Sequence, residues 1–247
     1  MSLDACANLV QRGDPDRFRA VMAAPVGARG QLLPLYAFNL EVARAPWLAQ
    51  EPLVAEMRLQ WWRDTLAEPV PRAHEVAGPL HALIRDAGLP VAVLDRLVAA
   101  RRWDCWREPF DDAAALETYL EDTGGGLMWL AARALGAPDS AEMAARDYGR
   151  ATAMAGFLRA VPELQARGRH PIPAGADTAS LARLGLDWLA RARAARRSLP
   201  KTVAPALLSG WQTAPLLRQM AAGETHPALS EFSLRGRLLW QVTTGRW

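Results

Sequence analysis

Two faces of predicted helices have the spacing at which acidic side chains could bind metal ions and, through them, a diphosphate. Carboxylates at positions i and i+4 on facing helices would hold Mg²⁺, which takes oxygen ligands in octahedral geometry. The bound ions would neutralise a diphosphate and make it a leaving group. Only Glu163 is acidic among these positions, so the residue types do not supply the metal ligands that this spacing suits. The first face comprises Tyr36, Leu40, Ala43 and Trp47, and the second comprises Gly156, Ala160, Glu163 and Leu164.

The remaining titratable residues form no recognisable catalytic or metal-binding motif. Glu117 and Glu121 stand four residues apart, but after Asp111 and Asp112 they are typical of a capped helix start with a solvated face. On the residues alone we predict no catalytic residue, no metal ion and no cofactor. Neither the HExxH spacing nor the zinc-finger spacing occurs among the histidines, which are His74, His81, His170 and His226.

The composition indicates a helical protein with a sizeable core. The chain has 247 residues, 51% of them hydrophobic, and it favours alanine, leucine and arginine over β-branched residues. Cys6 and Cys105 lie far apart in the sequence, which favours a reducing compartment over a disulfide framework. The formal net charge is only +3, and no motif indicates nucleic-acid binding.

The sequence gives no indication of insertion into a membrane. Its first residues lack a basic start followed by an apolar run, so no signal peptide is predicted. The longest uncharged stretch, between Lys201 and Arg218, is interrupted by Pro205 and Pro215 and falls short of the roughly 20 apolar residues that span a bilayer. We therefore expect a cytoplasmic protein that could lie peripherally on the inner membrane.

Proline and glycine positions divide the chain into predicted helices. No linker separates domains, so we predict one domain over residues 1–247, with a long loop in the proline-rich stretch 162–177. Three consecutive glycines, 124–126, indicate either a helix break or a close approach of the backbone to a ligand or a neighbouring helix. The predicted helices are 28–44, 51–67, 73–87, 90–107, 113–135, 139–161, 179–198, 203–221 and 228–244.

The first face lies in a segment that resembles the first metal-binding motif of the squalene/phytoene synthase family. That motif is Tyr-Ala-Phe-x-Arg-x-x-Asp-Asp-x-x-Asp, and it aligns on Tyr36-Ala37-Phe38. In this alignment the arginine of the motif falls on Leu40. Its acids fall on Ala43, Arg44 and Trp47, so the metal ligands are absent.

The second face resembles the family's second motif, Asn-Ile-Leu-Arg-Asp-x-x-Glu-Asp, aligned on Leu158-Arg159. The asparagine falls on Gly156, the flanking acids fall on Ala160 and Leu164, and only Glu163 matches an acid. The resemblance implies an all-α isoprenoid-synthase fold, a helical bundle around a central cavity. It also implies that the metal site of the synthases has been lost here.

The chain is most similar to the branch of this family that comprises complex I assembly factor 6 and its bacterial relatives. Four motifs of that branch match in order and spacing over residues 16–175. This resemblance implies a non-catalytic protein with protein partners in respiratory complex assembly. The matching segments are Phe38-Asn39-Leu40-Glu41-Val42-Ala43, Arg58-Leu59-Gln60-Trp61-Trp62, Tyr119-Leu120-Glu121-Asp122-Thr123 and Leu158-Arg159-Ala160-Val161-Pro162.

The matched residues are the candidates for the wall of the cavity. They could form a buried polar network, for example Glu41 with Arg58 or Glu163 with Arg159, since buried polar groups need partners. Alternatively, Arg159 could bind an anionic head group in an otherwise apolar cavity. The candidate residues are Tyr36, Asn39, Leu40, Ala43, Arg58, Gln60, Trp62, Tyr119, Thr123, Gly156, Arg159, Ala160, Glu163 and Leu164.

Two other functions stay open beside the assembly role. One is a Mg²⁺-dependent head-to-head prenyltransferase with unusual ligands. The other is a carrier of an isoprenoid or lipid, such as a quinone, in the emptied cavity. A further alternative concerns the basic stretch 191–201, which could contact an anionic membrane surface or form a solvated helix face.

Overall fold

The computed structural model describes residues 3–49, 51–225 and 227–247, and every regular element in these ranges is helical. The predicted all-α class is therefore confirmed. Short 3₁₀ turns follow several of the helices, and a π-helical turn, Glu121–Gly125, joins α7 to α8. The helices are α1 (Leu3–Gly13), α2 (Pro15–Ala23), α3 (Val26–Arg44), α4 (Pro52–Ala67), α5 (Ala77–Ala87), α6 (Val91–Ala100), α7 (Ala113–Leu120), α8 (Gly126–Ala134), α9 (Glu142–Ala166), α10 (Thr178–Ala194), α11 (Ala204–Leu207), α12 (Thr213–Ala221) and α13 (Glu231–Thr244).

Local sequence signals explain where several helices begin and end. The Asp112 carboxylate accepts a hydrogen bond from the Ala115 backbone N–H, which confirms the predicted cap of α7. Asp177 and Ser180 form a reciprocal capping box at the start of α10. Gly88 ends α5 in the left-handed conformation, with φ of 59°, which glycine adopts without steric cost.

Two long helices, α3 and α9, organise the bundle. Every residue of α3 from Leu32 to Leu40 is buried, as expected of a helix that is surrounded by others. It packs against α1, α5 and α8. The other long helix, α9, packs against α10, α8, α12 and the π-helical turn. Buried apolar side chains from these elements join in one continuous core.

The glycines at 124–126 allow the π-helical turn to cross α9 at very short range. A Cβ atom added to Gly124 would lie 2.8 Å from the carbonyl oxygen of Gly149 and would overlap the side chain of Ala153. The predicted close approach to a neighbouring helix is therefore confirmed. The alternative prediction of a helix break is wrong, because the chain continues through the π-helical turn into α8.

Two short helices at the start of the chain were not predicted, and several predicted boundaries are wrong. α1 and α2 were not predicted, because each buries only a few residues and depends on packing against α3 or each other. α9 continues through Pro162 to Ala166, so the predicted loop is shorter at its start. A proline inside a helix costs about 3 kcal/mol. Buried neighbours such as Val161 offset this cost.

Smaller boundary errors affect four other predicted helices. The range predicted as 90–107 ends as α-helix at Ala100, and the range predicted as 203–221 is divided into several short elements. The helices predicted from 73 and from 228 begin at Ala77 and Glu231. Among the described helices, none combines the length and apolar character that crossing a membrane requires.

Candidate functional site

A cavity of about 350 Å³ opens between the two long helices. α3 and α9 form facing walls, and the π-helical turn with the start of α8 forms a third. The 3₁₀ turn Arg101–Cys105 and α7 supply a polar floor. Most of the exposed lining is carbon, so the cavity could hold an apolar group with a few polar contacts.

The structure brings more than half of the predicted site residues to this cavity. On α3 the helical spacing places Tyr36, Asn39 and Ala43 on the cavity wall, with Trp47 following in the next turn. On α9, Gly156, Ala160 and Leu164 lie at helical spacing on one face and also line the cavity. The predicted residues that line the cavity are Tyr36, Asn39, Ala43, Tyr119, Thr123, Gly156, Ala160 and Leu164.

Two predicted site residues belong to the apolar core instead. Leu40 is buried, but its side chain extends toward Gly13 of α1, where an added Cβ would overlap it. Trp62 is also buried and packs edge-on against Phe38, with ring centroids 5.3 Å apart. Both side chains therefore stabilise the contacts of α3 with its neighbours and do not line the cavity.

Four more predicted site residues lie on the protein surface. On α4, Arg58 and Gln60 are exposed, and Gln60 Nε2 donates to the Asp64 carboxylate at 2.7 Å. On α9, Arg159 precedes Ala160 by one residue and so points about 100° away from the cavity. Glu163 is exposed as well. These four residues were therefore placed wrongly at the cavity wall.

The predicted buried ion pairs are also wrong. Arg159 lies 3.8 Å from Asp16, not beside Glu163. Glu163 instead pairs with Arg167, one turn later on the same helix, at 2.5 Å. Glu41 lies 3.9 Å from His74, while Arg58 faces solvent. Arg159, Glu163 and Glu41 therefore have partners other than the predicted ones.

The cavity wall does not fit the magnesium ions that the resembled synthases use. The positions of the synthase acids carry Ala43, Trp47, Ala160 and Leu164 on the cavity wall. Mg²⁺ requires hard oxygen ligands, which these side chains lack. In the described parts of the chain no group of three or more His, Cys, Asp or Glu side chains could hold a metal ion. His226 lies outside the described residues.

Asp104 is the single carboxylate among the described residues that line the cavity, and it is already engaged. The Tyr119 hydroxyl donates to Asp104 Oδ2 at 2.9 Å. Arg101 Nη1 donates to the same oxygen at 3.2 Å and to the Tyr119 hydroxyl at 2.7 Å. This carboxylate is buried and neutralised by its neighbours, so it offers little to a metal ion.

Burial and charge fix the ionisation of this polar floor. Burial raises the pKa of Tyr119 far above its usual range, and the charge of Arg101 only partly opposes this. Burial would lower the pKa of Arg101, but its electrostatic interactions and hydrogen bonds with Tyr119 and Asp104 outweigh this effect and raise that pKa. At neutral pH the Tyr119 hydroxyl therefore keeps its proton and Arg101 stays positively charged.

Two polar atoms on the wall of α3 are buried without a hydrogen-bond partner. They are the Tyr36 hydroxyl and Asn39 Oδ1. Burial raises the pKa of Tyr36, and the nearby Arg17 guanidinium and Ser209 hydroxyl partly oppose the rise. The Ser209 hydroxyl donates to the Ala206 carbonyl and forms no hydrogen bond of normal geometry with the Tyr36 hydroxyl. An unpaired buried polar atom is costly, so both atoms are suited to bind a polar group.

Other cavity residues could not be identified from the sequence. Arg101 and Asp104 stand in a short turn, and their partner Tyr119 is distant in the chain. Stacked rings of Trp103 and Phe110, 4.0 Å apart, pack against Tyr119 and Phe157 beside the cavity. These contacts join segments whose proximity no local spacing predicts.

The acidic residue Glu121 also differs from its predicted role. It was expected on a solvated helix face, but its side chain is largely buried where the π-helical turn meets α9. Arg146 Nη1 donates to its carboxylate at 2.7 Å, and Arg150 donates to its other oxygen. Glu121 therefore ties the π-helical turn to α9 and is not available to a metal ion.

Comparison with known proteins gives a family and two sets of relatives. A family model described as squalene/phytoene synthase matches residues 10–179. Complex I assembly factor 6 of Bos taurus is 27% identical over 172 residues, which cover 68% of this chain and 52% of the relative. The Drosophila melanogaster homologue is 32% identical over 170 residues, covering 64% and 50%. The chain thus spans about half the length of the curated relatives it matches.

Solved structures agree with the predicted isoprenoid-synthase fold. A dehydrosqualene synthase crystallised with a ligand superposes with a TM-score of 0.79 at 15% identity, covering 98% of this chain and 95% of that one. Squalene synthase HpnC from Alicyclobacillus acidocaldarius gives a TM-score of 0.75 at 17% identity, covering 92% and 95%. At these identities the likeness establishes the fold alone.

Proposed function

The chain belongs to the squalene/phytoene synthase family, and we propose that it is a non-catalytic member that assists assembly of respiratory complex I. One observation carries the loss of catalysis. The wall where the synthases hold metal ions has Ala43, Trp47, Ala160 and Leu164 in place of acids. Without metal ions a diphosphate would stay poorly neutralised and would be a poor leaving group.

The assembly role is supported by the relatives named complex I assembly factor 6. Assembly requires a surface for protein partners, and α4 offers one. Its outer face carries exposed Leu53 and Met57 beside Arg58 and Gln60, and Met57 is 71% exposed. Arg58 and Gln60 belong to a motif of that branch but do not line the cavity. Protein interfaces combine apolar and polar side chains, so contact with a partner would account for both kinds of residue on the outer face of α4.

Gene deletion followed by complementation tests the assembly role. We expect deletion to lower the amount of complex I on native gels and its NADH dehydrogenase activity, and the wild-type gene to restore both. The double variant Met57→Ser/Arg58→Ala should restore them incompletely. Met143→Ser is a matched control, because Met143 is 76% exposed on α9. Complex I that is unchanged by deletion would refute the assembly role.

We place the protein in the cytoplasm with peripheral contact to the inner membrane, where complex I is assembled. A membrane contact of this kind needs a basic or apolar surface and no spanning helix. Fractionation of cells into membrane and cytoplasmic extracts tests this location. Recovery of the protein only from the cytoplasmic extract, at low and at high salt alike, would contradict the membrane contact.

A second candidate function is the binding of an isoprenoid or another lipid in the cavity. The unpartnered Tyr36 hydroxyl and Asn39 Oδ1 favour it, because a ligand with a neutral polar head would satisfy them while its chain contacts the apolar lining. Native mass spectrometry of the purified protein should then detect a bound lipid. The variant Gly156→Leu, which projects a side chain into the cavity, should abolish it. Absence of any lipid from the wild-type protein would argue against this candidate.

A further inference from the structure

The last helix of the sequence, α13, presents a row of large apolar side chains to solvent. Phe232 is 88% exposed and Leu239 is 64% exposed, and Trp240 and Val242 are exposed as well. At helical spacing all four fall on the outward half of α13. Arg235 is exposed on the same half of the helix. Four large apolar side chains exposed on one helix are more than the scattered single residues of an ordinary surface, and they mark an interaction surface.

The inward half of α13 is held firmly against the bundle. Leu234 and Leu238 pack on the core, and Gln241 Nε2 donates to the buried Leu207 carbonyl at 2.9 Å. Just beyond the helix, the Trp247 ring packs on Tyr148, with centroids 4.4 Å apart. Because these contacts fix the rotation of α13, the helix cannot turn its outward apolar residues into the core.

A basic groove adjoins the end of α13. It has a volume of about 720 Å³ and is lined by Arg193, Arg196, Lys201 and Arg246, with no Asp or Glu side chain among its described lining residues. Arg193 Nε donates to the backbone oxygen of Trp247 at 2.8 Å. An adjoining groove shares Arg193 and Arg246 with the first and adds Arg237, again without an Asp or Glu side chain among its described lining residues. The clustered positive charges that line these grooves attract anions.

We propose that α13 lies in the interface of an anionic membrane, with lipid phosphates in the two basic grooves. Exposed phenylalanine, leucine and tryptophan side chains together with arginines on the same helix are the pattern of an interfacial helix. Charge complementarity favours an anionic lipid surface, because phosphates can neutralise the cations that line the two adjoining grooves beside α13. The membrane contact proposed above thereby gains a specific surface, and this surface does not depend on the assembly role.

Vesicle co-sedimentation with the purified full chain tests the membrane surface. Vesicles of phosphatidylcholine are compared with vesicles in which about one third is phosphatidylglycerol, at low and high salt. The test variant is Phe232→Ser/Leu239→Ser, which changes two exposed side chains. The matched control is Val26→Ser/Met143→Ser, because both residues are similarly exposed on other helices. A second variant, Arg196→Gln/Lys201→Gln, removes cations from the larger groove.

We expect the wild-type protein to bind the anionic vesicles, with binding that weakens as salt is raised. Phe232→Ser/Leu239→Ser should weaken binding by roughly tenfold or more, while the matched control binds like the wild type. Arg196→Gln/Lys201→Gln should weaken binding and reduce its salt dependence. Equal binding by the wild type and the apolar variant would overturn the proposal, as would no binding to anionic vesicles. A stable dimer that Phe232→Ser/Leu239→Ser dissociates would also overturn it, by assigning this face to a second copy of the chain.

Discussion

Substituting Gly149 by alanine should strongly destabilise the fold, because the π-helical turn crosses α9 at this residue. An added Cβ would lie 2.6 Å from Met128 Cβ and would overlap the carbonyl oxygen of Gly124. A backbone oxygen cannot move aside as the end of a flexible side chain can. The two segments must therefore separate, and the cavity wall that they share must change shape.

The size of this effect follows from two opposing contributions. Overpacking costs about 1–3 kcal/mol when side chains can adjust, and we expect about 3–4 kcal/mol here because the backbone must shift. Alanine in place of glycine inside a helix returns about 1 kcal/mol. We expect a net loss of about 2–3 kcal/mol in the free energy of unfolding. For a chain of this size that loss lowers the Tm by roughly 4–12 °C.

Gly156→Ala provides a matched control on the same helix. Nothing lies within 4 Å of a Cβ added to Gly156, so the substitution should raise the Tm by about 1–4 °C through helix propensity. Thermal unfolding followed by circular dichroism at the helical band measures both variants. If Gly149→Ala were as stable as the wild type, or if both variants lost stability equally, the close crossing would be refuted.

Three further predictions concern a buried arginine, a buried thiol and the absent metal ligands. Arg169→Lys should lower the free energy of unfolding by about 2–4 kcal/mol in denaturant titrations, because lysine cannot match the donation of Arg169 to three backbone carbonyls; an unchanged midpoint would contradict this. Burial, reinforced by the charge of Glu75, raises the pKa of the Cys6 thiol from 9.0 to about 11, so its stabilising contribution is complete below pH 9 and is lost as the pH rises toward 11. Cys6→Ala should therefore flatten the loss of stability across this pH range, and parallel curves for the two proteins would disprove the thiol's part in it. Saturating Mg²⁺ should leave the Tm unchanged, because a ligand that binds only the folded state would raise it. A rise in Tm would contradict this prediction. If Ala43→Asp did not alter that rise, the ion would be bound away from the cavity wall at Ala43.

The sequence predicted the cavity wall best where helical spacing alone determines position. Tyr36, Ala43 and Trp47 were expected on one helix face, and all three line the cavity. Leu40 lies at the edge of that face, and α1, which was not predicted, covers it. The direction of a helix face can be derived from spacing, but its width depends on which neighbours pack beside it.

Resemblance identified residues that matter to the family branch without indicating where they lie. Arg58 and Gln60 match a motif of the branch, yet both are at the surface of α4. Arg159 also matches and is also exposed. A motif records that residue types recur together, whereas burial is set by packing between distant segments. Such residues are better candidates for partner contact than for the cavity.

The polar floor of the cavity shows what local patterns cannot predict. Arg101 and Asp104 are three residues apart, which indicates a local pair. Their hydrogen bonds to the Tyr119 hydroxyl depend on α7 folding back over the turn that carries them. The close approach of the backbone at residues 124–126 was likewise indicated only by the glycines, as one of two alternatives, and the π-helical turn itself was not predicted. Long-range packing decided between them.

The most direct test is to incubate the purified protein with farnesyl or geranylgeranyl diphosphate and Mg²⁺ and to measure the release of diphosphate. With Ala43, Trp47, Ala160 and Leu164 at the positions of the synthase acids, we expect no release above the rate without protein. A known synthase of the family, assayed in parallel, confirms that the substrates and the metal are competent. Release of diphosphate that a chelator abolishes would contradict the loss of metal-dependent chemistry from this cavity.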